Sequence, residues 1–211
     1  MTTSKELTSP ELAPIEVHGI SRASFILRGA ITVGAAYGAT AVGPYVGNAL
    51  AASGSGDIDI LNFALTLEYL ETNFYKHKAK TVGLSGEAKS LAALIAGHEQ
   101  QHVDALVKAI QAAGGTPIKK PTFVFPVTDQ ASFLKLAYTL ENVGVGAYNG
   151  AGPSLQNPAY LAAAGSIVQV EARHAAAIGL LTNQSVTPNG GFDKPLSKAQ
   201  VLKAAKPLIK A

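Results

Sequence analysis

One pattern occurs twice in this chain. GHEQQHVDAL (97–106) sets Glu99 and His102 three residues apart, and VEARHAAAIG (170–179) sets Glu171 and His174 at the same spacing. A second pair of stretches accompanies the first. TLEYLETNFY (66–75) and TLENVGVGAY (139–148) share Thr, Leu, Glu and Tyr at matching positions, with Glu68 aligned to Glu141 and Tyr75 to Tyr148. The spacing of three places each Glu and His on one helical face. A sequence that repeats such a face in both halves is constrained to bring the two copies together about a pseudo-twofold axis.

The surrounding periodicity is helical, and its interruptions define four long segments. Helices are expected over about 57–80, 86–113, 129–150 and 158–182, with Asp57 as the first N-cap. GLSG (83–86) and GPSLQNP (152–158) are short turns. TPIKKPTFVFPVT (116–128) contains three prolines and is not helical. It is long enough to cross the length of a bundle. SKAQVLKAAKPLI (197–209) reads as a short amphipathic helix. The expected fold class is therefore all-α: an up-down four-helix bundle with a long crossover between the second and third helices and a short C-terminal helix. The bundle occupies 57–183, and 184–211 is an extension packing on it.

The register of the two hairpins places the acids together. Glu68 and Glu99 are equidistant from the GLSG turn, and Glu141 and Glu171 are equidistant from the GPSLQNP loop. All four glutamates can therefore lie in one layer. Four carboxylates buried without compensation would protonate or force the bundle open. Two divalent cations offset their charge, and two imidazoles add neutral nitrogen donors. One Glu from each of two helices and a Glu-x-x-His from each of the other two is the donor set of dinuclear carboxylate bundles. The expected metal ligands are Glu68, Glu99, His102, Glu141, Glu171 and His174, with Glu99 and Glu171 including a bridging role. Oxygen-rich donors favour Fe or Mn over a thiolate-seeking metal. Apolar neighbours such as Ile95, Val103, Leu106, Ala175 and Ile178 argue against two solvated Glu–His pairs.

Four further residues are ambiguous. Glu71 follows Glu68 by one turn, but Gly144 stands at the equivalent place in the repeat, so Glu71 is read first as supporting a ligand or pairing at the surface, and second as a ligand itself. His98 has Val170 as its counterpart and is read as an ordinary helix-face histidine. Tyr75 and Tyr148 face inward two turns beyond Glu68 and Glu141. They are either core tyrosines with bonded hydroxyls or a gate or radical relay beside the metals.

Composition bears on the chemistry. Apolar residues make up 47% and charged residues 15% of the 211, with no Cys, no Trp and one Met. Disulfides and Cys-based zinc sites are excluded. The scarcity of oxidisable side chains suits work near peroxide or outside the cell. A net charge of +3 without a dense Lys/Arg run gives no argument for nucleic acid.

Residues 1–56 are read as an address and a linker. A polar start precedes SRASFILR (21–28), a Gly/Ala-rich apolar stretch (29–52) and a small-residue Ala49-Leu50-Ala51 pattern. This reads as an export signal of twin-arginine type, with Ala23 where the second arginine belongs. A retained segment 29–52 would instead associate with a membrane or another subunit.

LNFALTLEYLETNFY, TLENVGVGAY, VEARHAAAIG and FDKPLSKAQVLKAAKPLI resemble the ferritin-like family that includes plant desiccation-related and fungal stress-responsive proteins. The resemblance covers about 57–209. It implies a ferritin-like bundle with a dinuclear metal site, and no settled reaction. Three functions are compatible with these readings. The first is a redox protein, peroxidase-like, catalase-like or an oxidase, using two Fe or Mn ions on a small oxidant or small-molecule substrate. The second is a structural stress or assembly protein whose metals stabilise the bundle. The third, metal storage, needs a closed homo-oligomeric shell, for which a second His and a C-terminal extension are not required.

Overall fold

The computed structural model describes residues 55–210, so the reading of the N-terminal segment as an export signal or anchor lies outside the described residues, Ser55 and Gly56 apart. Four long helices form the body: α1 (Ser55–Asn73), α2 (Gly86–Ala112), α3 (Gln130–Ala151) and α4 (Pro158–Leu181). A short α5 (Lys198–Ala205) follows. Helix α1 packs along α2, and α3 along α4, giving two hairpins that close on each other as a bundle; α5 lies against α3. None of the described helices is long and apolar enough to cross a membrane.

The helix ends follow from local chemistry. Helix α2 stops at Gly114, whose φ of 76° no β-carbon-bearing residue adopts cheaply. The next amide, Gly115 N–H, then reaches back to Ile110 O at 2.9 Å, and Gly114 N–H to Gln111 O at 3.0 Å. These two bonds form a Schellman stop. Asp129 opens α3 through a capping box: its carboxylate accepts from Ser132 N–H at 2.8 Å, while Ser132 Oγ accepts from Asp129 N–H at 3.1 Å. Asn157 caps α4, accepting from Ala159 N–H at 2.9 Å, with Pro158 in the first helical position.

Asp57 departs from expectation. Helix α1 already includes Ser55, so Asp57 is not its N-cap. Its buried carboxylate instead accepts from the backbone N–H groups of Gln156 and Asn157, at 2.9 and 3.0 Å. It thereby ties the start of α1 to the α3–α4 loop. Bonds to two loop amides outweigh a local cap that a longer helix no longer needs.

Beyond Asn73, helix α1 widens into a π-helical turn, Phe74–Lys78, before a last α-helical turn at Ala79–Thr81. The Ala79 N–H bonds Phe74 O, five residues back. The wide turn lets the consecutive residues Phe74 and Tyr75 both be buried. Phe74 stacks on Phe133 of α3, with centroids 4.3 Å apart, and Tyr75 meets the same ring edge-on.

The proline-rich crossover 116–128 is not helical, as expected, and makes a β-bridge between Phe123 and Ile209 near the C-terminus. The C-terminal extension packs closely on α3: Leu196 N–H bonds Gly146 O at 2.8 Å, and a β-carbon at Gly150 would lie 2.0 Å from Leu196 O. Two apolar clusters fill the bundle. One contains Leu70, Phe74, Ile95 and Phe133; the other contains Leu61, Leu65, Val103, Leu106 and Ile110. On α1 and α2, Glu68, Glu99 and His102 fall between them.

Candidate metal centre

Each of the four helices carries acid into the interior of the bundle. Glu68 (α1), Glu99 (α2), Glu141 (α3) and Glu171 (α4) are all fully buried, and His102 and His174 nearly so. The structure brings together all six residues that the sequence nominates. They form two overlapping groups: Glu68, Glu99, His102 and Glu171, and Glu99, Glu141, Glu171 and His174. In each group one potential ligand atom per residue lies within 4.8 Å of the others. Glu99 and Glu171 belong to both.

The imidazoles present Nδ1 to the acids. His102 Nδ1 is 3.2 Å from Glu68, 3.2 Å from Glu171 and 3.3 Å from Glu99. His174 Nδ1 is 3.1 Å from both Glu99 and Glu141. One Nδ1 proton cannot serve two or three carboxylates at once. Glu99 Oε1 and both oxygens of Glu171 accordingly accept no hydrogen bond although fully buried. Such atoms are costly unless a cation meets them. The donor set, oxygen-rich and anionic with two nitrogens, fits metal ions.

Protons compete for the same oxygens. Burial, then the neighbouring Glu99, pushes Glu68 up to about 8. Burial and the adjoining carboxylates hold Glu171 well above the usual carboxylate range, and burial raises Glu141. The histidines move the same way for a different reason. Burial alone would lower His102, but the carboxylates of Glu171, Glu68 and Glu99 facing its Nδ1 outweigh it and push it up to about 12. His174 rises to about 10 by the same balance, with Glu141 and Glu99 as partners. Without cations, the cluster is thus a store of protons.

The tyrosines cross between halves. Tyr75 of α1 donates to Glu141 Oε1 of α3, and Tyr148 of α3 donates to Glu68 Oε1 of α1 at 2.5 Å. Both hydroxyls are held well above the ordinary tyrosine range, by burial first and then by the facing carboxylates. They are inward and bonded, as one of the two sequence readings has it.

For Glu71 one of its readings falls away, and His98 sits differently from its reading. Glu71 is not in a surface pair; it is 3% exposed, and burial followed by Glu171 and Glu141 holds its carboxyl well above the usual range. It shares with Glu171 the space that Gly144 leaves. A β-carbon there would lie 2.9 Å from Glu171 Oε2 and 3.4 Å from Glu71 Oε1. His98 is not an isolated helix-face residue. Its Nδ1 is 2.9 Å from His174 Nε2, and the two rings are nearly parallel at 11°. Its position four residues before His102, on the same face of α2, was the available signal.

A family model described as a ferritin-like domain matches residues 56–184. No curated protein matches the chain.

Proposed function

This chain belongs to the ferritin-like domain family, and on that premise we propose that it is a dinuclear iron or manganese protein that reacts with peroxide or oxygen under oxidative stress. The observation that carries this reading is the fully buried set of four glutamates and two histidines, with Glu99 and Glu171 oxygens left unbonded. Glu68 and His102 would hold one ion, Glu141 and His174 the other, with Glu99 and Glu171 shared. Hard oxygen donors favour Fe or Mn. Such a pair of ions supplies a two-electron couple and Lewis acidity.

The chain's own residues shape the rest. Tyr148 and Tyr75 fix the orientation of Glu68 and Glu141 through their hydroxyl bonds. The apolar clusters on either side exclude bulk water and strengthen the electrostatics of the layer. Tyr148 also lines an apolar cavity of about 60 Å³, with Leu61, Ala64, Leu67, Leu106 and Ile167. That space suits a molecule of a few heavy atoms, which supports a small oxidant over a bulky substrate. A chain with no Cys, no Trp and one Met offers such an oxidant few sites of self-damage.

The test is elemental mass spectrometry on the native protein, followed by peroxide turnover and oxygen consumption by fully Fe- or Mn-loaded samples. About two ions per chain and turnover of either oxidant are expected. Metal without turnover would favour a second reading, in which the ions only hold the bundle together. The observation behind that reading is that all four helices contribute donors, so bound ions cross-link the whole fold. It predicts a large fall in Tm on chelation and no activity.

A further inference from the structure

The two groups of donors look equivalent until the outer nitrogens of their histidines are compared. His174 turns Nδ1 to Glu99 and Glu141, and its Nε2 lies 2.9 Å from His98 Nδ1. His102 turns Nδ1 to Glu68, Glu99 and Glu171, and among the described residues no group bonds its Nε2. The difference originates in the sequence. Residue 98 precedes Glu99 as residue 170 precedes Glu171, but residue 98 is His and residue 170 is Val. Valine has no side-chain acceptor.

A neutral imidazole carries one N–H and one lone pair, and a bond to one nitrogen fixes the role of the other. For His174 Nδ1 to offer its lone pair to a cation, the proton must sit on Nε2. There it donates to His98 Nδ1, and His98 keeps its own proton on Nε2. The near-parallel contact of the rings, with centroids 5.2 Å apart, also limits rotation of His174 about its side chain. His102 lacks this support, so binding a cation must itself fix its tautomer and ring orientation.

We propose that His98 is a positioning residue that makes the two metal sites unequal, presetting the site of Glu99, Glu141, Glu171 and His174 as the tighter one, which fills first. The proposal rests on the dinuclear reading above. Partners of this kind are worth about 10–100-fold in metal affinity. His98 is half-buried and outside both donor groups, so its replacement is expected to leave the fold intact; far-ultraviolet circular dichroism of the metal-free variants checks this.

The experiment is titration of metal-free full-length protein with Co(II), followed by visible absorption and calorimetry. The unmodified chain is expected to bind two ions in two resolved steps, and a crystal grown with one equivalent is expected to hold its ion beside His174. His98→Ala is expected to weaken the tighter step about 10–100-fold, leaving the other unchanged. His98→Gln, whose amide oxygen can accept the same proton, is expected to recover part of that loss. A first ion beside His102 would overturn the proposal, as would an unchanged pair of steps in His98→Ala or an equal weakening of both. Failure of the unmodified chain to bind Co(II) at all would overturn the dinuclear reading with it. Two ions bound independently of His98 would overturn only the proposal.

Discussion

The hairpin α1–α2 and the hairpin α3–α4 supply the same donors: a lone glutamate with a tyrosine two turns on, and a Glu-x-x-His on the partner helix. Each hairpin gives three residues to its own donor group and lends its Glu-x-x-His glutamate to the other. The halves agree wherever charge balance across the centre demands it. They diverge at three places. Helix α1 has the π-helical turn, Glu71 faces the gap at Gly144, and His98 stands where the other half has Val170. The matched positions define what the centre must hold. The mismatched ones can make its two ends behave differently without disturbing the donor count.

The largest expected effect tests the lending arrangement. Glu171→Ala or Glu99→Ala removes a donor from both groups, so both ions should be lost. Glu68→Ala removes a donor from one group only, so about one ion per chain should remain. Metal content after gel filtration distinguishes the two. If Glu68→Ala empties both sites, the centre is cooperative beyond the geometry of its donor groups.

The next effect concerns stability without metal. Glu68 has its folded-state value raised from 4.5 to about 8. Between those values the folded chain holds a proton that the unfolded chain has released. That contribution is fully present below pH 4.5 and is lost as pH rises through about 8. His102 and His174, raised from 6.5 to about 12 and about 10, act with the same sign at higher pH. Tm of the metal-free protein should therefore fall as pH rises through this window. Bound cations replace those protons, so the loaded protein should instead lose its added stability as pH falls. Parallel slopes for the two forms, measured by calorimetry, would separate the ions from this proton store.

A smaller effect is expected at the break in the repeat. Gly144→Ala places a methyl group 2.9 Å from Glu171 Oε2. A fully buried carboxylate has little room to retreat, and overpacking of this kind costs about 1–3 kcal/mol. Because Glu171 serves both groups, both binding steps should weaken together, in contrast to the one-sided effect expected of His98→Ala. Calorimetric titration checks this.

Much of this arrangement could be read from the sequence because buried charge leaves few alternatives. Four glutamates at matched heights need cations or protons, and the turns at Gly83–Gly86 and 152–158 fix those heights. The capping box at Asp129 follows local rules and starts α3 one residue further on. What escaped was non-local. Asp57 looks like a cap for its own helix, and nothing in its neighbourhood announces two loop amides a hundred residues away. The burial of Glu71 depends on a missing side chain on another helix. The contact between His98 and His174 depends on how α2 faces α4, which a repeat with Val170 in the matching place argues against.

Glu71 carries the smallest prediction and the sharpest test of the twofold frame. It belongs to neither donor group. Burial and the surrounding acids hold its carboxyl well above the usual range, over the gap at Gly144. Removing a side chain outside both donor groups should change little: Glu71→Ala is expected to retain both ions, with affinity within a few-fold of the unmodified chain. Glu68→Ala, one turn away on the same helix, is expected to lose one. The reverse result, with an ion lost from Glu71→Ala and both retained in Glu68→Ala, would mean that the gap at Gly144 admits a ligand. The break in the repeat, and not the repeat itself, would then mark the donor position on α1.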